Sequence, residues 1–257
     1  MVNKTKRHIT VVKYDHVLRS LGFVLSLTTA FADPAFVITV NDTRYEAFQS
    51  HNRHLHATKW AGTMGTNLSV YERSLIATED LDTTDGFLGS AWSHYRLWNY
   101  VVNLNQTILV LEDDAYTWQD IQTVTLPEHF DIVMCGCNVN SVSITTSPNN
   151  LTRITSYEPK YPSKEWILNS LSGIRSPTFR RLRRQFGISC YWISPAGASK
   201  LLATALPLRA ETIHIPLLGN VQQFSLDTRM NALYDHLMAY VTYPWLSYTT
   251  NVESSTR

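Results

Sequence analysis

Residues Ile108-Leu109-Val110-Leu111 form an unbroken apolar run that opens directly onto Glu112-Asp113-Asp114. Four consecutive apolar side chains read as a buried strand. Three adjacent carboxylates at its end repel one another, and each resists desolvation. A bound cation is the usual compensation, and oxygen-only ligands of this kind suit Mg2+ or Mn2+. In an open α/β sheet, ligands sit beyond the carboxyl ends of the strands, so the position also suits a site. The competing reading is a solvated acidic turn or helix start, where Asp is favoured.

The segments around this run alternate between the two backbone periods. Residues 34–40 read as a core strand ending in the turn Asn41-Asp42-Thr43, and 44–55 as a polar helix. A Thr- and Asp-rich loop over 75–85 leads to the glycine-flanked Gly86-Phe87-Leu88-Gly89, then to Ser90 as N-cap of a helix over 91–104. In that helix Tyr95, Trp98 and Val102 fall on one face. Residues 130–134 and 187–193 read as further strands, 195–206 as a helix, and a helix follows Ser225-Leu226-Asp227. The stretch 141–184 reads as long loops with short elements, and 242–257 as a polar, irregular tail. Such alternation indicates an α/β fold with a mostly parallel sheet.

At 257 residues the chain fits one large domain, or one domain with a small appendage. We place the domain at 34–257 and an N-terminal extension at 1–33. Apolar and charged fractions of 44% and 17% exclude a disordered chain. A net charge of +1 gives no global pull towards nucleic acid or an anionic membrane. No apolar stretch reaches the roughly 18 residues that a spanning helix needs. Lys4, Lys6, Arg7 and Lys13 precede the apolar 21–27 and Ala30-Phe31-Ala32, an order shared with secretory signals. An ordinary strand and helix is the other reading, so cytoplasm and secretory lumen both stay open. Three cysteines, Cys135, Cys137 and Cys190, make no disulfide framework, and buried free thiols are expected.

Four blocks, in order, resemble glycosyltransferase family 25, which includes lipooligosaccharide galactosyltransferases and collagen galactosyltransferase domains. They are Phe36-Val37-Ile38-Thr39-Val40-Asn41-Asp42-Thr43-Arg44, the Gly86 to Trp98 segment with Ser93-His94, the acidic strand ending Glu112-Asp113-Asp114-Ala115, and Gly187-Ile188-Ser189-Cys190-Tyr191-Trp192-Ile193-Ser194 with Gly197-Ala198-Ser199-Lys200 after it. Pro244-Trp245-Leu246 has a fainter likeness. The resemblance implies a GT-A-like, Rossmann-type domain. It also implies an inverting transfer of a hexose, galactose by this likeness, from a UDP-sugar to a glycan, glycoprotein or glycolipid acceptor.

The chemistry assigns each candidate a task. A departing nucleoside diphosphate needs its charge neutralised, which a divalent cation does. Glu112 and Asp114 are expected to ligate that cation, with Asp113 turned towards ribose or sugar hydroxyls. The acceptor hydroxyl needs a general base. Asp227 is the candidate, and a helix N-cap is its other reading. Asn41 and Arg44 follow the first strand, where nucleotides bind in such sheets, and both are expected to meet the nucleotide; Arg44 can pair with phosphate, stack on the base, or lie solvated on a helix. Ser93 and His94, in the first turn of their helix, are expected to hold an anion. Tyr191 reads as a sugar platform or as core. The cluster Arg180-Arg181-Leu182-Arg183-Arg184 reads as a solvated loop that could grip an anion. Two other functions stay in view: a metal-dependent phosphoesterase, and a non-catalytic glycan-binding protein of transferase fold.

Overall fold

The computed structural model describes residues 33–136, 142–147, 149, 151–156 and 161–250. The expected N-terminal extension falls outside them except for Asp33, as do Cys137 and residues 251–257. In chain order the elements are β1 (Ala35–Thr39), α1 (Asp42–His51), β2 (Ala57–Ala61), α2 (Val70–Ile76), α3 (Asp85–Leu104), β3 (Ile108–Glu112), β4 (Ala115–Thr117), β5 (Ile132–Met134), β6 (Val142–Thr146) and β7 (Thr152–Ser156). They continue with α4 (Lys164–Ser172), β8 (Thr178–Gln185), β9 (Cys190–Ile193), α5 (Pro195–Thr204), β10 (Thr212–Ile215), β11 (Gly219–Gln222), α6 (Leu226–Leu233), β12 (Ala239–Tyr243) and β13 (Ser247–Thr249).

Nine strands form one sheet in the order β2-β1-β3-β9-β5-β12-β8-β6-β7. Six run the same way, and β7, β8 and β9 run against them. The sheet is thus mixed with a parallel majority and is flanked by helices, which is the α/β fold expected. Strand β3 lies inside it, between β1 and β9, and Ile108, Leu109, Val110 and Leu111 are all fully buried. Burying each such aliphatic side chain contributes about 1.5–3 kcal/mol. The parallel register sets Ile38 opposite Glu112, so β1 and β3 deliver their loops to one edge of the sheet. The buried free thiols expected of the cysteines are present at Cys135 and Cys190, which face each other across β5 and β9.

Three local expectations are corrected. Helix α3 starts at Asp85 with Thr84 as its cap, not at Ser90, and its Thr84 hydroxyl accepts from the Phe87 N–H. Gly86 and Gly89 sit inside the helix rather than in a turn. Their spacing resembles turn punctuation, but Gly89 is there for close approach: a Cβ on it would lie 2.4 Å from the Thr63 carbonyl oxygen. Ser93 and His94 therefore fall beyond the first turn, where backbone N–H groups are already spent on the helix, and the expected anion-holding N-terminus is not at these residues.

The stretch 141–184 is not mainly loop, because β6, β7, α4 and most of β8 lie in it. Four arginines in Thr178–Gln185 hide the alternation of a strand, yet Leu182 and Gln185 are fully buried while the arginine stems lie along the sheet. The tail from 242 is ordered through β13, where Ser247, Tyr248 and Thr249 are buried and pair with β4.

Candidate active site

A cavity of about 820 Å3 opens at the carboxyl ends of β1 and β3. Arg44, Ser93, Glu112, Asp113, Asp114 and Asp227 all line it. Asn41 and His94 do not. The Asn41 side chain caps α1, accepting from the Arg44 N–H at 2.8 Å. That cap fixes the start of the helix that carries Arg44 over the cavity.

The three carboxylates meet different partners. Asp113 takes a close ion pair from the Arg44 guanidinium, so Arg44 is neither solvated nor free for a phosphate alone. Asp114 Oδ2 accepts from the Thr249 hydroxyl at 2.7 Å. The β4–β13 pairing puts Thr249 opposite Ala115, which is what brings the C-terminal strand to the acidic turn. Asp114 Oδ1 is buried with no hydrogen-bond partner. Burial, reinforced by the Glu112 charge, pushes the Asp114 carboxyl up to about 6. An orphaned carboxylate oxygen beside a second carboxylate is a donor set that fits a hard divalent cation. Among the described residues, no group of three or more His, Cys, Asp and Glu could hold a metal ion. A cation at Glu112 and Asp114 would therefore complete its shell from water and substrate oxygens.

Behind Glu112 lies a buried polar relay. The Trp98 indole N–H donates to the Tyr191 hydroxyl at 2.9 Å, and that hydroxyl stands 2.7 Å from His94 Nδ1. Indole nitrogen is a donor only, so the phenol keeps its own proton to give to Nδ1. In the neutral ring the remaining proton sits on Nε2, 3.5 Å from Glu112 Oε1. His94 thus faces the acidic turn from the core side, and Tyr191 is core rather than a sugar platform, with no exposed surface. Tyr191→Phe is expected to strand the Trp98 N–H and His94 Nδ1 in the core and to cost about 1–3 kcal/mol. Urea unfolding of the two proteins reads that loss directly. Equal stability would break the relay.

Asp227 occupies the second position of α6, with Ser225 as the N-cap rather than Asp227 itself. Its Oδ1 accepts from the Ser225 hydroxyl and, at 2.8 Å, from the Thr228 N–H, and its Oδ2 from the Gly187 N–H at 3.1 Å. Burial raises its carboxyl above the usual range, with these donors pulling the other way. A basic carboxylate held in a cavity wall can take a proton. Ser93 is less available: its hydroxyl donates to the Gly89 carbonyl and accepts from the Thr63 N–H, tying α3 to the 62–67 segment.

Several cavity residues escape sequence reasoning. Thr249 lies in the tail that read as irregular. Phe87 and Phe224 pair edge to face at 5.3 Å on the cavity wall, 137 positions apart in chain order by their numbers alone. The first lies inside the Gly86 to Trp98 block and the second next to the Ser225 cap, and only the fold joins them.

A family model described as glycosyltransferase family 25 (LPS biosynthesis protein) matches residues 76–215. No curated protein sequence matches the chain. Among solved structures, the crystal structure of A197 from STIV is similar over 82% of this chain and 81% of that one, at 8% identity and a TM-score of 0.37. No helix among the described residues is long and apolar enough to cross a membrane.

Proposed function

Because the chain belongs to glycosyltransferase family 25, we propose that it moves a hexose, galactose in our reading, from a UDP-sugar to a hydroxyl of a glycan, glycoprotein or glycolipid, with inversion in a GT-A-like site. One observation carries this reading. Six of the eight candidate residues, scattered from Arg44 to Asp227, line the same cavity.

Glu112 and Asp114 would hold Mn2+ or Mg2+, which when bound neutralises the departing diphosphate as a Lewis acid. Asp113, held by Arg44, orients the donor by accepting from ribose or sugar hydroxyls. Arg44 keeps the net charge of the acidic turn low enough to admit a diphosphate. Asp227 takes the proton from the acceptor hydroxyl as it attacks the anomeric carbon, and its raised basicity suits that step. His94 positions Glu112 from behind, Asn41 fixes the helix that carries Arg44, and Ser93 lies in the cavity wall.

The test is release of nucleoside diphosphate by the purified protein, given Mn2+ and a panel of sugar nucleotides. Release from a UDP-hexose, lost on chelation, is the expected result. A folded protein silent on every donor overturns the proposal. Phosphate release from a simple ester, independent of any sugar nucleotide, would transfer the site to hydrolysis.

A further inference from the structure

We propose that a cleft at the other end of β8 binds a phosphate monoester, as carried on a sugar or on a lipid headgroup. The arginine cluster of β8 divides by partner. Arg183 and Arg184 share Asp235, at 3.1 and 2.7 Å. Arg181 donates to the Leu237 carbonyl at 3.1 Å and lies over Tyr240. Arg180 does neither. Its guanidinium carbon sits 3.7 Å from the centre of the half-exposed Tyr243 ring, and Arg153 of β7 approaches the same ring at 5.9 Å. Neither has a carboxylate partner among the described residues, while every other β8 arginine has its charge or its donors committed.

These two guanidiniums line a cleft of about 440 Å3 with Thr145, Ser147, Asn149 and Thr152. The pairing of Thr145 with Arg153 puts both on one face. Two acceptors of the described loop residues are engaged: Asn149 Oδ1 accepts from the Ser147 hydroxyl, and the Leu151 carbonyl accepts from the Ser147 N–H at 3.0 Å. The two guanidiniums bring N–H donors to the cleft, and the Thr145 and Thr152 hydroxyls can donate beside them. Two like charges drawn to one ring repel unless an anion lies between them. A guanidinium stacked on an aromatic face keeps its N–H fork free in its own plane, the geometry that grips phosphate. A phosphate offers enough acceptor oxygens for two forks and the threonine hydroxyls together.

The cleft is distinct from the active-site cavity. From Arg180 to Gln185, just before the cavity wall at Phe186 and Gly187, the strand spans roughly 17 Å. The proposal therefore stands whether or not the transfer reaction is as described above.

Calorimetric titration of the full chain in EDTA, with a hexose 6-phosphate, inorganic phosphate and vesicles containing phosphatidate in separate arms, tests it. Saturable binding is expected, weakened at least tenfold in Arg180→Gln and in Arg153→Gln, partly restored in Arg180→Lys, and unchanged in Arg44→Gln. Tighter binding of the hexose phosphate than of inorganic phosphate assigns the site to a sugar, and preference for the vesicles assigns it to a lipid headgroup. Binding in none of the three arms, equal affinity in Arg153→Gln with native circular dichroism, or loss in Arg44→Gln alone overturns the proposal.

Discussion

Asp114→Asn is expected to lower turnover by at least about a hundredfold while making the metal-free protein more stable at pH 7. Both effects come from one oxygen. In the folded chain Asp114 Oδ1 is buried without a partner, and its carboxyl is pushed up to about 6. An acid raised on folding binds its proton more tightly in the native state than in the unfolded one. Its stability contribution is present below about pH 4 and is lost as pH rises through about 6. At neutral pH the wild type bears an ionised carboxylate facing Glu112, and the amide removes that burden. The gain is up to about 3 kcal/mol near pH 7 and falls below about 1 kcal/mol near pH 4. Urea unfolding in EDTA at the two pH values checks the sign. Adding Mn2+ with UDP should reverse the order, because only the wild type binds the cation. A mutant less stable than wild type at pH 7 in EDTA would mean that Asp114 is a structural acceptor rather than a ligand held in waiting.

Asp227→Asn is expected to reduce kcat by about 10²–10⁴ and to leave UDP and Mn2+ affinity unchanged. Asparagine keeps the acceptor oxygen that serves the Thr228 N–H, so the start of α6 survives. If Asp227 only supported that helix, the change would cost about 1 kcal/mol of stability and no turnover. The pH profile separates the two further. The raised Asp227 carboxyl puts the acid limb of kcat/KM above the usual carboxylate range, and this limb should vanish in the residual activity of the variant.

The active-site half of the fold was legible because its signals are local. An apolar run broken by carboxylates specifies both a buried strand and the residue where it leaves the sheet, and Ile108 to Asp114 behaves that way. Caps were less legible. Ser90 carries the same side chain as a good N-cap, but Thr84 wins because Gly89, and Gly65 across from Asp85, let the start of the helix pass close to residues 62–67. The strand Thr178–Gln185 was hidden by charge, since guanidinium stems can cover a sheet as alkyl chains do while the heads find Asp235 or Tyr243. Thr249 was illegible in principle. Its role follows from a pairing with β4 across more than a hundred residues, which no local pattern encodes. His94 shows the intermediate case. Its block pointed to the site, but only the buried Trp98 and Tyr191 donors reveal that it faces Glu112 from the core side.

Manganese binding followed by electron paramagnetic resonance, with and without UDP, reaches the central claim most directly. With only Glu112 and Asp114 from the protein, affinity should be weak alone and rise at least about tenfold once diphosphate oxygens join the shell. Asp114→Asn should lose both the weak site and the UDP-dependent gain. Unaltered manganese and UDP affinity in that variant would contradict the assignment of the acidic turn to cation binding.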